Sequence, residues 1–146
     1  MENSELKKVF AQKKEKLDKR TGKVKQGFKD TTSHQFAEWF NEAVFEKGCY
    51  YCGLTNSESK IIFQLQRNGY RKDATRGGKR GIRLEIDRVD PSLPYDRLDN
   101  LVWCCYWCNN AKSNFFSLEE FRKIGKEIGK SLKKIIREAQ KNNVLL

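Results

Sequence analysis

LEIDRVDPSLPYDRLDNLVWCCYWCNNAKSN, residues 84–114, is the stretch that decides how this chain folds. Residues 83–89, RLEIDRV, alternate like a half-buried strand. Leu84, Ile86 and Arg88 fall on one face, and Glu85, Asp87 and Val89 on the other. A polar loop with two prolines, DPSLPYDRLDN, leads into an apolar second strand, LVWCCY. The closing CYWCNNAKSN predicts a short helix that begins at a cysteine pair. The order strand, loop, strand, helix predicts a small α+β unit.

Five cysteines stand at 49, 52, 104, 105 and 108. Cys49-Tyr-Tyr-Cys52 and Cys105-Tyr-Trp-Cys108 are two CxxC pairs, and a tight turn at each aims two thiolates at one ion. Gly53 suits the turn after the first pair. Cys104 competes with Cys105 for the ligand position. Spacing to Cys108 favours Cys105, and alternation then turns Cys104 to the opposite face as a small core residue. A disulfide framework would need an oxidising compartment, and a redox pair would not be duplicated. A structural Zn²⁺ on Cys49, Cys52, Cys105 and Cys108 is therefore expected, with no open position for chemistry. The long insertion between the pairs must be a structural unit of its own.

With the upstream cysteine knuckle, residues 84–114 resemble the HNH endonucleases, whose fold is a ββα-metal module. The resemblance stops short of both ends of the chain. It implies that Asp87 is the acidic metal ligand at the end of the first strand, and that Asn100 pins the loop. Asn109, straight after Cys108, is the helical metal ligand, with Lys112 three further on, where the family places a lysine. A carboxylate and an amide oxygen are hard donors suited to Mg²⁺ or Mn²⁺. Two protein ligands leave coordination positions for water and phosphate oxygens. The competing readings are Asp87 as an ion-pair partner and Asn109 as a helix cap.

One position departs from the family. Arg88 stands where the general-base histidine belongs, and arginine stays protonated in proteins. In a restriction-enzyme branch of the family, Arg at this place accompanies a loop tyrosine that makes the attack. Tyr95 lies in the matching loop, so the resemblance implies that Tyr95 attacks or activates water while Arg88 stabilises the phosphorane. Tyr95 is also readable as a loop anchor. Asp90 reads as a turn residue before Pro91 and a weaker base. His34, the lone histidine, reads as a cap or surface residue. Trp103, Tyr106 and Trp107 read as packing for the zinc module.

Outward from this unit, Thr32 and Gln35 form a capping box for a helix running to Gly48. Ser117 and Glu120 form a second one for a C-terminal amphipathic helix. Residues 4–20 predict a Lys-rich helix ended by Thr21-Gly22, and IIFQL at 61–65 predicts a short strand. The organisation expected is a basic segment 1–30, a zinc-bound nuclease domain 31–116 with its core at 84–114, and a basic helix 117–146.

The chain has 146 residues and a net charge of +11, from 30 Lys and Arg against 19 Asp and Glu. Mean hydropathy is −0.81. No run approaches the ~20 apolar residues of a membrane span. The N-terminus is charged where a secretory leader would be apolar. A cytoplasmic protein with a polyanionic partner is expected, double-stranded DNA first. The Arg- and Gly-rich stretch 67–83 offers Arg67, Arg71, Lys72, Arg76, Lys79, Arg80 and Arg83 to a phosphate backbone, with Lys112 beside them. The expectation is a metal-dependent endonuclease of a phage, mobile-element or defence system, with a homodimer compatible with cutting two strands. An inactive zinc module that binds nucleic acid, and an adaptor or inhibitor docking through the C-terminal helix, are the alternatives.

Overall fold

A computed structural model describes residues 1–72 and 80–144. Helix α1 (Asn3–Lys13) is followed by a two-stranded ribbon of β1 (Lys16–Leu17) and β2 (Val24–Lys25). Helices α2 (Ser33–Trp39), α3 (Glu42–Glu46) and α4 (Asn56–Arg67) come next. An antiparallel pair, β3 (Glu85–Arg88) and β4 (Leu101–Cys104), leads into α5 (Tyr106–Lys112) and the long α6 (Leu118–Lys141). The fold is α+β, and the ββα order expected at 84–114 is present.

Three elements differ from the sequence reading. Residues 61–65 are helical because the Thr55 hydroxyl accepts from the Glu58 amide while Glu58 returns the bond. That capping box starts a helix, and Ser59, Ile62, Phe63 and Leu65 bury its inner side. The N-terminal helix stops at Lys13, because Asp18 accepts from the amides of Arg20 and Thr21 and folds the chain back as a ribbon. The helix after Thr32 breaks at Phe40 and restarts when Asn41 caps Val44. The capping boxes at Thr32 and Ser117 form as expected.

One hydrophobic cluster gathers residues from all three expected segments, including Leu6 and Phe10, Phe36 and Trp103, and Phe121, Leu132 and Ile136. Trp103, 3% exposed, is ringed by Trp39, Phe40 and Phe45 at centroid distances of 5.7, 6.0 and 5.0 Å. Two close approaches position the site. A Cβ at Gly129 of α6 would lie 2.6 Å from the Cys52 carbonyl oxygen, so only glycine lets α6 press on the first cysteine knuckle. A Cβ at Gly27 would lie 1.9 Å from the Lys13 carbonyl oxygen, so glycine there lets the ribbon's return strand lie against the end of α1. The Phe28 amide then bonds the Lys13 carbonyl, and its ring, 1% exposed, enters the core.

Candidate active site

The four sulfurs of Cys49, Cys52, Cys105 and Cys108 lie within 4.8 Å of one another. Cys52 and Cys105 are 3.7 Å apart, against the about 3.8 Å edge of a tetrahedron with Zn–S bonds of about 2.3 Å. The set fits zinc in number, softness and spacing. The crowded sulfurs split in their proton affinity: Cys105, then Cys49 and Cys52, then burial, push the Cys108 thiol far up, whereas hydrogen bonds from Cys105, then Cys108 and Cys52, pull Cys49 far down. Cys105 also caps α5, accepting from the Cys108 amide at 3.4 Å. Cys104 is outside the cluster and fully buried, and burial, then the Asp87 carboxylate, holds it a neutral thiol. Of the two neighbours, Cys105 is the one whose sulfur joins the cluster.

Strand β3 presents two faces. On the α5 side, Asp87 is 6% exposed. One of its oxygens, Oδ2, accepts from the Tyr51 hydroxyl at 2.7 Å and meets the Lys112 ammonium at 3.2 Å. Lys112 has no exposed surface, and it also donates to the Arg88 carbonyl at 2.8 Å. A buried charge of this kind is tolerated only when paired and hydrogen-bonded. Lys112 thus braces β3 from within, and has no surface to offer DNA. Tyr51 is the residue before the second cysteine of the first knuckle, so one hydroxyl joins the zinc cluster to the Asp87 carboxylate. Burial, then the Asp87 charge, pushes the Tyr51 phenol well above its ordinary value, which keeps it a donor.

Asn109 lies one turn before Lys112 on the same side of α5. Its amide nitrogen donates to Glu85 Oε2 at 3.0 Å. Glu85, two residues before Asp87 on the same strand face, also takes a two-pronged bond from Arg80 at 3.0 and 2.5 Å. Strand and helix therefore pair as Glu85 with Asn109 and Asp87 with Lys112. No hydrogen bond joins Asp87 to Asn109 among the described residues. Carboxylate and amide oxygens such as those of Asp87, Asn109 and Glu85 are hard donors of the kind that suits Mg²⁺ or Mn²⁺.

The other face carries Arg88, 6% exposed. Its guanidinium donates to the Leu93 carbonyl at 3.0 Å, to Gln26 at 3.0 Å and to Asn114 at 3.3 Å. Its centre also lies 4.5 Å from the centroid of the Tyr95 ring, where the Lys13 ammonium approaches to 4.0 Å. Tyr95 meets Phe28 edge-on at 6.2 Å and packs against the core. It is thus brought to Arg88, whereas the phenol that touches Asp87 is Tyr51.

Asn100 pins the loop, accepting from the Asp90 amide and donating to the Asp90 carbonyl, both at 2.9 Å. Asp90 accepts from the Ser92 amide and hydroxyl, and that hydroxyl, then the amide, holds its carboxyl below the ordinary value. It is a turn-former and a poor base. His34 is an exposed helix-start residue beside Glu38. Among the expected backbone contacts, Arg67 and Lys72 are exposed, and Arg71 bonds Gln66 at 3.3 Å. Arg83 is paired with Gln12 and lies 3.9 Å from Glu5. Arg76 and Lys79 lie outside the described residues.

Sequence reasoning missed Tyr51, Glu85 and Gln26. The first two were within reach of it: Tyr51 sits inside a zinc knuckle, and Glu85 shares the strand face of Asp87. Gln26 carries no local signal, because its meeting with Arg88 spans 62 positions.

No family model and no curated protein matches this sequence. Among solved structures, the rare-cutting HNH restriction endonuclease PacI is similar, with 26% sequence identity and a TM-score of 0.53. The match covers 71% of this chain and 66% of PacI, just under two thirds of that enzyme. In fold and in its four-cysteine framework, the chain resembles the HNH endonuclease family.

Proposed function

We propose that this protein is a metal-dependent endonuclease that cuts phosphodiester bonds in double-stranded DNA. The observation that carries the reading is Asp87, held at the end of β3 between the zinc knuckle and α5, with Arg88 beside it. The likeness to PacI, a DNA-cutting enzyme, supports the same class. Mg²⁺ or Mn²⁺ held by Asp87 and Asn109 would supply charge neutralisation at the scissile phosphate. Tyr51 and Lys112 keep Asp87 in one orientation and leave Oδ1 for that ion. Asn100 fixes the loop that carries Tyr95. Arg88 contributes fixed positive charge for the phosphorane.

The attacking group, or the group that activates the attacking water, is Tyr95, which has the Arg88 and Lys13 cations against its ring. Tyr51 donates its hydroxyl to the Asp87 carboxylate at 2.7 Å and positions that ligand. Plasmid cleavage with Mg²⁺ or Mn²⁺ tests these roles. Asp87→Ala, Arg88→Ala and Tyr95→Phe should abolish nicking, and Tyr51→Phe should weaken it. Full nicking by Asp87→Ala would remove the nuclease reading of this site.

The adaptor reading is disfavoured by α6, which spends Phe121, Leu132, Ile136 and Ala139 on the chain's own core. An inactive zinc module remains the outcome if wild-type protein binds DNA and cuts nothing with either ion. A cytoplasmic setting and a homodimer are consistent with this reading. No described helix is long and apolar enough to cross a membrane.

A further inference from the structure

A cleft of about 560 Å³ opens between the end of α1, the β1–β2 ribbon and the start of β3. Among the described residues, its cations are Lys13, Lys16, Lys25, Arg80 and Arg83, and its one acid is Glu85. Arg80 is neutralised by Glu85, and Arg83 leans on Gln12 and Glu5. Lys16 and Lys25 differ, with no acidic partner among the described residues. They are also directly opposed across the ribbon, Lys16 to Lys25, both exposed. Like charges in that position destabilise a strand pair. The intramolecular fold gives no reason for them, and a polyanion in the cleft does.

The ribbon is held in place. Gly27 and Phe28 fasten its return strand to α1 and the core, and Gln26, next after Lys25, accepts a hydrogen bond from Arg88. The basic pair therefore hangs from the residue that would face the phosphorane. We infer that the β1–β2 ribbon is a fixed arm whose Lys16 and Lys25 hold the phosphodiester backbone of duplex DNA in this cleft, leading it to the Arg88 end of the site. This deepens the nuclease reading and rests on it for the identity of the polyanion.

Binding of a short fluorescent DNA duplex, without added divalent ion and in an Asp87→Asn background, tests the arm apart from cleavage. Lys16→Gln/Lys25→Gln should weaken binding about ten- to a hundredfold at low salt and lower the slope of log K against log salt by about 2. The loss should be equal for unrelated sequences. Lys19→Gln/Lys23→Gln removes the same charge from the ribbon's tip, outside the cleft, and should change the slope by less than half as much. Lys16→Glu makes an opposite-charge pair, so it should raise the melting temperature while weakening DNA binding. That outcome separates a lost contact from a lost fold. An unchanged slope in Lys16→Gln/Lys25→Gln, an equal change in the tip variant, or tighter binding to duplex RNA or polyglutamate would each overturn the inference. Wild-type protein that binds DNA as described but cuts nothing would sink the nuclease reading and leave the arm standing.

Discussion

The two faces of β3 hold their polar groups in opposite ways. Toward α5, a carboxylate and an ammonium neutralise each other almost without solvent, and the Tyr51 hydroxyl ties them to the cysteine cluster. Toward the ribbon, Arg88 makes no ion pair among the described residues, and its guanidinium donates to the neutral oxygens of Leu93, Gln26 and Asn114 beside the Tyr95 ring. The first arrangement is a closed ion pair with one carboxylate oxygen left over. The second is a buried cation held in position by neutral acceptors, its charge not cancelled by an ion pair among the described residues. The difference teaches that one strand supplies both halves of the proposed chemistry, an acid that holds a cation and a cation that meets an anion. The halves are stabilised independently, so they should fail independently.

Zinc removal is the largest perturbation and should strike the α5 face first. Metal-ligand bonds in small domains contribute about 10–16 kcal/mol of apparent folding energy. Cys108→Ser, or a strong chelator, should therefore abolish cooperative unfolding, read by circular dichroism. Elemental analysis should find one zinc per chain in the native protein. A chelated protein with an unchanged melting curve would separate the cysteine cluster from the stability of the site.

Next in size is the buried pair. Lys112→Met leaves Asp87 as an uncompensated charge, and breaking such a pair costs about 3–5 kcal/mol. Adding Asp87→Asn should recover much of the loss, because the orphaned charge is removed too. Arg88→Met should cost about 1–3 kcal/mol, since it removes hydrogen bonds to neutral groups and strands no opposite charge. Denaturant melts that reversed this order would break the contrast between the faces.

These contrasts also mark what the sequence could show. The cysteine spacing, the alternation at 84–88 and the paired Ser/Thr and Glu/Gln caps each rest on neighbours within a few residues. They foretold the cluster, β3 and the start of α6. The capping box at Thr55 is equally local, and it makes the stretch 61–65, which reads as a strand by its β-branched Ile61-Ile62, part of a helix. Lys112 was placed correctly in the chain and wrongly in space. A lysine in a basic sequence looks like a surface charge, and only the approach of Asp87, 25 residues earlier, reveals its enclosure. Tyr51 and Gln26 act over comparable distances, and nothing in their own surroundings announces a partner.

A smaller effect probes the α5 face through Tyr51. Its phenol is pushed above the ordinary value of about 10, so the neutral form is the one the fold favours. The sign follows. This group's contribution is present below its unfolded value and is lost as pH rises through and beyond that value. Ultraviolet titration should find a tyrosine step withheld until alkaline unfolding, and Tyr51→Phe should remove that late step. A late step that survived in Tyr51→Phe would assign the enclosure to another phenol.

The smallest expected change lies on the ribbon face, at Gln26. Its carbonyl oxygen accepts from a charged donor, a bond of ~1.5–3 kcal/mol in mutational series. Gln26 itself is exposed, and water can replace it in front of Arg88. The cost of Gln26→Ala should accordingly fall below about 1 kcal/mol, since a hydrated donor is not left unsatisfied. Its consequence should be local: amide exchange should quicken at Glu15, whose N–H bonds the Phe28 carbonyl, and not at Asp87 on the opposite side of the sheet. Exchange that quickened equally on both faces would mean that Arg88 transmits strain through β3. The two halves of the site would then be one mechanical unit.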